Sequence, residues 1–145
     1  MARREPELDL GVLISRITSA LQRSLAEALP AGDELGPRQR TVLAFVQPEG
    51  SRAVDLARES GQHKQVIGTL VDELEALGYV RRTPDPTDRR AKLVVPTERG
   101  RRQITSTAAA IADVERRLAG ALGEQAYRQF KQSARRVAEI LHGAL

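Results

Sequence analysis

The chain has 145 residues and a formal net charge of +4, with 23 Lys and Arg against 19 Asp and Glu. At 41% hydrophobic and 29% charged residues, it reads as one ordinary globular domain with a buried core, not a disordered segment. The absence of Cys excludes disulfide staples, zinc ribbons, iron–sulfur ligation and thiol redox sensing, and four aromatic residues (Phe45, Tyr79, Tyr127, Phe130) argue against a stacking platform for unpaired bases.

The opening residues Met1 to Glu7 place no apolar segment behind Arg3 and Arg4. No apolar run approaches the roughly 20 residues needed to span a bilayer. The expectation is a cytoplasmic protein.

From Leu8 to Leu29 the residues Leu10, Leu13, Ile14, Ile17, Leu21, Leu25 and Leu29 recur at three- and four-residue steps, one stripe of an amphipathic helix. Pro30-Ala31-Gly32-Asp33 ends it. Gly36-Pro37 opens a second helix with Pro at its first position, and Val42, Leu43 and Val46 mark its apolar side. A short third helix over Ala53–Ser60 ends at Gly61, with Ser51 as its expected cap. The fourth helix is expected from Gln62 to Leu77, with Ile67, Leu70, Val71, Leu74 and Leu77 inward and Gly78 as its stop. The third and fourth helices form a helix-turn-helix.

Tyr79–Thr83 and Ala91–Val95 are short and β-prone. Between them Pro84–Arg90 is rich in turn formers, so a projecting hairpin with a long polar turn is expected. A minimal strand is expected near Ser51-Arg52. Pro96 ends the second strand and Thr97 can cap the next helix. Ile104, Ala108, Ile111, Val114, Leu118 and Leu122 form one further stripe, and after Gly123 the residues Ala126, Phe130, Ala134, Val137 and Leu141 form another. The fold class is mainly α with a small β-wing, in the order α-α-α-α-β-β-α-α.

A helix-turn-helix followed at once by a basic hairpin describes a winged helix, which offers one helix to the major groove and a hairpin to the minor groove or backbone. Residues 79–92 hold five basic side chains (Arg81, Arg82, Arg89, Arg90, Lys92) against Asp85 and Asp88, a local charge of +3. The isoelectric point near 10.1 points the same way. This is the expected electrostatic footprint for phosphates.

The chain resembles the MarR family of bacterial transcription regulators. The resemblance covers nearly the whole length and is densest from Leu35 to Gly100. It is carried by Gly36-Pro37-Arg38-Gln39, Asp55-Leu56-Ala57, Leu70-Val71-Asp72-Glu73-Leu74-Glu75, Gly78-Tyr79-Val80-Arg81-Arg82, Asp85-Pro86-Thr87-Asp88-Arg89-Arg90-Ala91-Lys92 and Thr97-Glu98-Arg99-Gly100. The wing motif followed by the Thr-x-x-Gly helix start is the most specific of these.

The resemblance implies an obligate homodimer. Residues 35–100 would form the DNA-binding lobe, and 1–34 with 101–145 a helical dimerisation region. Leu10, Leu13, Ile14, Ile17, Phe130, Val137 and Leu141 are the expected dimer contacts. Two recognition helices would then meet half-sites of a pseudo-palindrome about 34–36 Å apart.

The family's recognition surface falls on Gln62, His63, Lys64, Gln65, Gly68 and Thr69. Gln65 can pair bidentately with adenine, Lys64 can reach guanine or a phosphate, and the Thr69 methyl can meet thymine. On a helix outside this context the same residues would be only a solvated face. In the wing, Arg89 and Arg90 are the candidates for the minor groove, with Asp88 expected to hold one of their guanidiniums. Arg38 and Arg52 are candidate phosphate contacts. Three residues depart from the family pattern: Arg52 stands where Thr or Ser is frequent, Arg40 replaces a bulky aromatic beside the effector pocket, and Gln62 takes an apolar position.

The expected function is a sequence-specific repressor released by a small aromatic or phenolic effector. The missing Cys sets aside the peroxide-sensing branch. A non-specific architectural DNA binder and a winged-helix protein-interaction module are the alternatives. No enzyme, metal or cofactor is expected: His63 and His142 are far apart, and no Gly-rich phosphate loop or Ser–His pair stands in a motif.

Overall fold

A computed structural model of the chain describes residues 9–143. Leu8 and the opening Met1–Glu7 lie outside the described residues. The elements are α1 (Leu10–Ala28), α2 (Pro37–Phe45), α3 (Ala53–Ser60), α4 (Lys64–Ala76), β1 (Val80–Asp85), β2 (Asp88–Pro96), α5 (Glu98–Leu122) and α6 (Glu124–Gly143). The order is the one read from the sequence, and the helical stripes became helices in each case.

Local chemistry sets the boundaries. Asp9 caps α1 by accepting from the Val12 amide at 2.9 Å. The α3 helix ends on Gly61 in the left-handed conformation (φ +67°), and the Gln62 amide reaches back to the Ala57 carbonyl at 3.2 Å. That closure consumes Gln62, so α4 begins two residues later than the sequence suggested. His63 is its N-cap, in extended backbone.

The cap of α3 is also corrected. Arg52, not Ser51, occupies the N-cap position, with no side-chain capping bond. Ser51 is drawn instead into the sheet: its amide and carbonyl exchange bonds with Val94 at 2.9 and 2.8 Å, and its hydroxyl accepts from the Gln47 amide at 3.0 Å. This bridge is the expected minimal strand. It makes β2 the central strand and β1 the edge, where Pro84 lacks an amide without breaking the sheet.

The hairpin differs from its expected form. The seven-residue polar turn contracts to Pro86-Thr87, and both strands run on to Asp85 and Asp88. The Asp85 carboxylate causes this by accepting from the Thr87 amide at 2.8 Å and its hydroxyl at 2.7 Å, which supplies locally the bonds of a turn. The register then breaks between Pro84, opposite Lys92, and Asp85, opposite Asp88. Arg89, Arg90 and Ala91 form a bulge in β2.

One core joins α2, α3, α4 and the base of the hairpin, with Leu43, Leu56, Ile67 and Leu74 sealed in it. Burial of each such side chain contributes about 1.5–3 kcal/mol. Ile104 extends this core to α5. In contrast, α1 and α6 contain no buried residue.

The start of α5 is locked onto the hairpin. The Thr97 hydroxyl accepts from the Gly100 amide at 3.1 Å and donates to the Gly78 carbonyl at 2.6 Å. A Cβ on Gly100 would lie 2.0 Å from the Tyr79 carbonyl oxygen. This contact explains the Thr-x-x-Gly motif: Thr makes the cap and Gly lets two backbones touch. Gly100→Ala is therefore expected to destabilise the protein by about 2–3 kcal/mol, read as a lower midpoint in urea denaturation.

Candidate nucleic-acid interface

The helix-turn-helix places α4 with Ile67, Leu70, Val71 and Leu74 inward. Lys64, Gln65 and Thr69 are exposed on its outer side, and Gly68 between them is half-buried with open space where a side chain would stand. A smooth gap flanked by polar side chains lets a helix approach a groove floor closely. Thr69 returns its hydroxyl to the Gln65 carbonyl at 3.3 Å. Gln62 and His63 precede the helix: Gln62 is half-buried in the turn and His63 exposed at the cap. His142 lies in the last turn of α6, so the two histidines sit on separate elements.

The hairpin's basic charge divides into used and unused parts. Arg82 is spent internally, bonded to Asp72 and Glu75 at 2.5 Å each, which ties β1 to the flank of α4. Among the described residues, no ion pair engages Arg81, Arg89, Arg90 or Lys92, and all four are exposed. These four are the cations left for an external anion.

Asp88 does not hold a wing guanidinium. It accepts instead from the Arg90 backbone amide at 3.0 Å, shaping the bulge rather than pairing a charge. The ion pair at the wing forms between Arg52 and Asp85, with Nε–Oδ2 2.8 Å and Nη2–Oδ2 2.5 Å. Arg52 Nη2 also donates to the Thr87 hydroxyl at 3.3 Å. The guanidinium expected to reach a phosphate is thus engaged inside the lobe. Bonds from the Thr87 hydroxyl and amide, and then from Arg52, hold the Asp85 carboxyl down at about 2.

Arg38 is exposed at the start of α2. Its neighbour Gln39 donates to Glu73 at 2.6 Å, near the C-terminal end of α4. Nine residues separate Glu73 from Lys64, roughly 14 Å along the helix. Arg38 thus belongs to the end of α4 remote from Lys64 and Gln65.

A cavity of about 270 Å³ lies among α1, α2 and α5, lined by Leu21, Leu25, Arg40, Phe45, Thr107 and Ile111 among others. Arg40 does stand at this cavity. Its Nη2 donates to Asp33 at 2.9 Å and to the Leu35 carbonyl at 2.8 Å. Its Nε is buried with no hydrogen-bond partner. Gln103 of α5 donates to the same Asp33 oxygen at 3.2 Å. The sequence reading missed this α2–Asp33–α5 bridge, because its members lie up to 70 residues apart.

The apolar stripes of the terminal helices face outward. Leu10, Leu13, Ile14 and Ile17 of α1 and Phe130, Val137 and Leu141 of α6 are all exposed, from 38% at Val137 to 59% at Leu10. Ile140, absent from the expected contacts, is 65% exposed. An ion cluster joins α5 and α6, where Lys131 and Tyr127 bond Glu115 at 2.6 and 3.0 Å and lower its carboxyl below the usual range. Among the described residues, no helix is long and apolar enough to cross a membrane.

Comparison with known proteins places this architecture. The sequence model of the MarR family matches residues 34–91. CouR from Rhodococcus jostii RHA1, solved with p-coumaroyl-CoA, is 31% identical with a TM-score of 0.78, covering 94% of this chain and 96% of that one. A MarR-family transcriptional regulator from Rhodococcus sp. RHA1 is 30% identical with a TM-score of 0.76, covering 94% and 98%. The transcriptional repressor CouR bound to a 23-mer DNA duplex is 24% identical with a TM-score of 0.79, covering 95% and 99%, and adds likeness of fold. No curated protein sequence matches the chain significantly. With about 30% identity sustained over nearly the full length of both chains, this protein belongs to the MarR family of transcriptional regulators.

Proposed function

We propose that the protein binds a pseudo-palindromic duplex operator as a homodimer, represses transcription there, and is released by a small aromatic or phenolic effector. The observation that carries this reading is the pairing, on one lobe, of an outward helix face (Lys64, Gln65, Gly68, Thr69) with a wing bulge whose Arg89 and Arg90 guanidiniums have no ion-pair partner among the described residues. Groove-reading side chains and unpaired phosphate-seeking charge are the two components a sequence-specific duplex binder needs. Asp88 serves the wing by shaping the bulge. Residues 35–100 form the DNA-binding lobe, and 1–34 with 101–145 the dimerisation region. The outward stripes of α1 and α6 support the second assignment, because a second copy would cover them.

The effector site is the cavity beside Arg40. At about 270 Å³ it is near the lower end of ligand pockets, and suits a single-ring compound. The buried, unbonded Arg40 Nε favours a ligand carrying an oxygen acceptor. Release follows if the ligand favours a spacing of the two lobes that no longer fits both half-sites.

Three outcomes are expected. Arg89→Ala with Arg90→Ala should weaken binding to a duplex selected from a random-sequence pool by about tenfold or more, and lower the salt slope by roughly one unit per lost phosphate contact. Unchanged affinity and slope would overturn the wing assignment. Leu13→Asp with Ile17→Asp should yield monomers in analytical ultracentrifugation, and an intact dimer would overturn the interface. In thermal-shift titrations with benzoate and 4-hydroxycinnamate as probes, the protein should be stabilised, and Arg40→Leu should lose at least tenfold in apparent affinity. Equal stabilisation of both proteins would remove Arg40 from the ligand site.

A further inference from the structure

The arginines of the wing sit where the register of the hairpin breaks. Pairing is continuous from Val80 opposite Pro96 to Pro84 opposite Lys92, then jumps to Asp85 opposite Asp88. Arg89, Arg90 and Ala91 have no residue across from them. A projecting segment with a broken register is less firmly held than a regular ladder, and ordering it on binding costs affinity.

Its surroundings counter that freedom. Asp85, next to the break, is only 5% exposed although it belongs to the hairpin tip. It accepts from Thr87 twice, at 2.7 and 2.8 Å, and from Arg52 Nε at 2.8 Å, with Arg52 Nη2 2.5 Å away in the same ion pair. Arg52 belongs to neither strand. It is the N-cap residue of α3, and α3 shares the sealed core with α4 through Leu56 and Ile67. Among the described residues, the Arg52 bonds to Asp85 and Thr87 are the side-chain hydrogen bonds that join residues 85–91 to the helices.

We propose that Arg52 is a positioning residue for DNA binding: it latches the wing tip to α3 through Asp85, so that Arg89 and Arg90 are held in a fixed frame relative to Lys64 and Gln65. The proposal rests on the reading that the wing arginines meet DNA. Arg52 acts through Asp85 and touches no phosphate. The guanidinium fork suits this task, since two nitrogens grip one carboxylate and resist rotation. A Lys ammonium is a point charge on a flexible stem and cannot replace that grip.

The alternative role, a phosphate contact by Arg52, predicts opposite signs. Under that role Arg52→Lys keeps most of the affinity, and Asp85→Asn strengthens binding by removing a negative charge near the phosphates. Under the latch, Arg52→Lys, Arg52→Ala and Asp85→Asn each weaken binding, by about tenfold. The double variant Arg52→Ala/Asp85→Asn then costs no more than either single change, because both break the same pair.

The measurement is fluorescence-anisotropy binding of the full-length protein to a duplex recovered from a random-sequence pool. Hydrogen exchange of the same proteins provides a second readout. The latch predicts faster exchange at Thr87–Ala91 and unchanged exchange at Leu43, Leu56 and Leu74. Asp85→Asn, nearly isosteric, keeps the test usable if Arg52→Ala folds poorly. Tighter binding by Asp85→Asn, or affinity restored by Arg52→Lys, overturns the latch. In an Arg89→Ala/Arg90→Ala background, Arg52→Lys should cost nothing further. If that background alone leaves affinity intact, the wing reading itself has failed, independently of Arg52.

Discussion

The structure depends on the contact between Gly100 and the carbonyl of Tyr79. Only a residue without a side chain can bring the first turn of α5 so close to that oxygen. The same carbonyl accepts from the Thr97 amide at 3.0 Å, and Thr97 grips Gly78 beside it. The end of α4, both ends of the hairpin and the start of α5 therefore meet at one place. The Tyr79 ring is buried beneath, with the Arg99 guanidinium 4.3 Å from its centre, and Arg99 also pairs with Glu34 at 2.5 Å. The long helix toward the terminal helices cannot tilt without disturbing the helix and wing that face outward. A second connection, through Asp33 to Arg40 and Gln103, joins the same bodies from the cavity side.

Charge in this protein is best understood by asking which groups are already satisfied. The +3 over residues 79–92 includes Arg82, whose charge is consumed by Asp72 and Glu75. It also includes the negative charge of Asp85, which Arg52 consumes. Exposed pairs such as Arg102–Glu98 and Arg116–Asp113 contribute little to stability and chiefly set surface potential. After these pairings, Arg81, Arg89, Arg90 and Lys92 remain as an exposed group of cations on the hairpin, with no acidic side chain of the hairpin paired to them among the described residues. The total charge of the chain hardly reflects that group.

The elements were legible because their signals are local. Stripes at three- and four-residue steps give helices, and Gly61 and Gly78 mark stops through backbone freedom. The length of the wing turn is not legible in Pro84–Arg90, which is uniformly turn-prone, because one carboxylate decides which two residues actually turn. Arg52 stood out only as a departure from a family pattern. Its partner lies 33 residues away, and no local signal announces a bond of that span. Arg40 was likewise conspicuous as an odd residue at its position, but its bonds to Asp33 and Leu35 required the fold. Asp88 stands next to two arginines in sequence, but adjacency there does not become an ion pair in space.

The unburied α1 and α6 have a thermodynamic consequence. Helices that fully bury no side chain within their own chain gain little from forming there, and their exposed apolar stripes are a cost in water. Whatever covers those stripes also supplies the free energy that keeps the helices folded. In the proposed homodimer, stability depends on concentration as much as on temperature, and a melting point has meaning only at a stated protein concentration. For that dimer, dilution would act as a mild denaturant, directed first at α1 and α6.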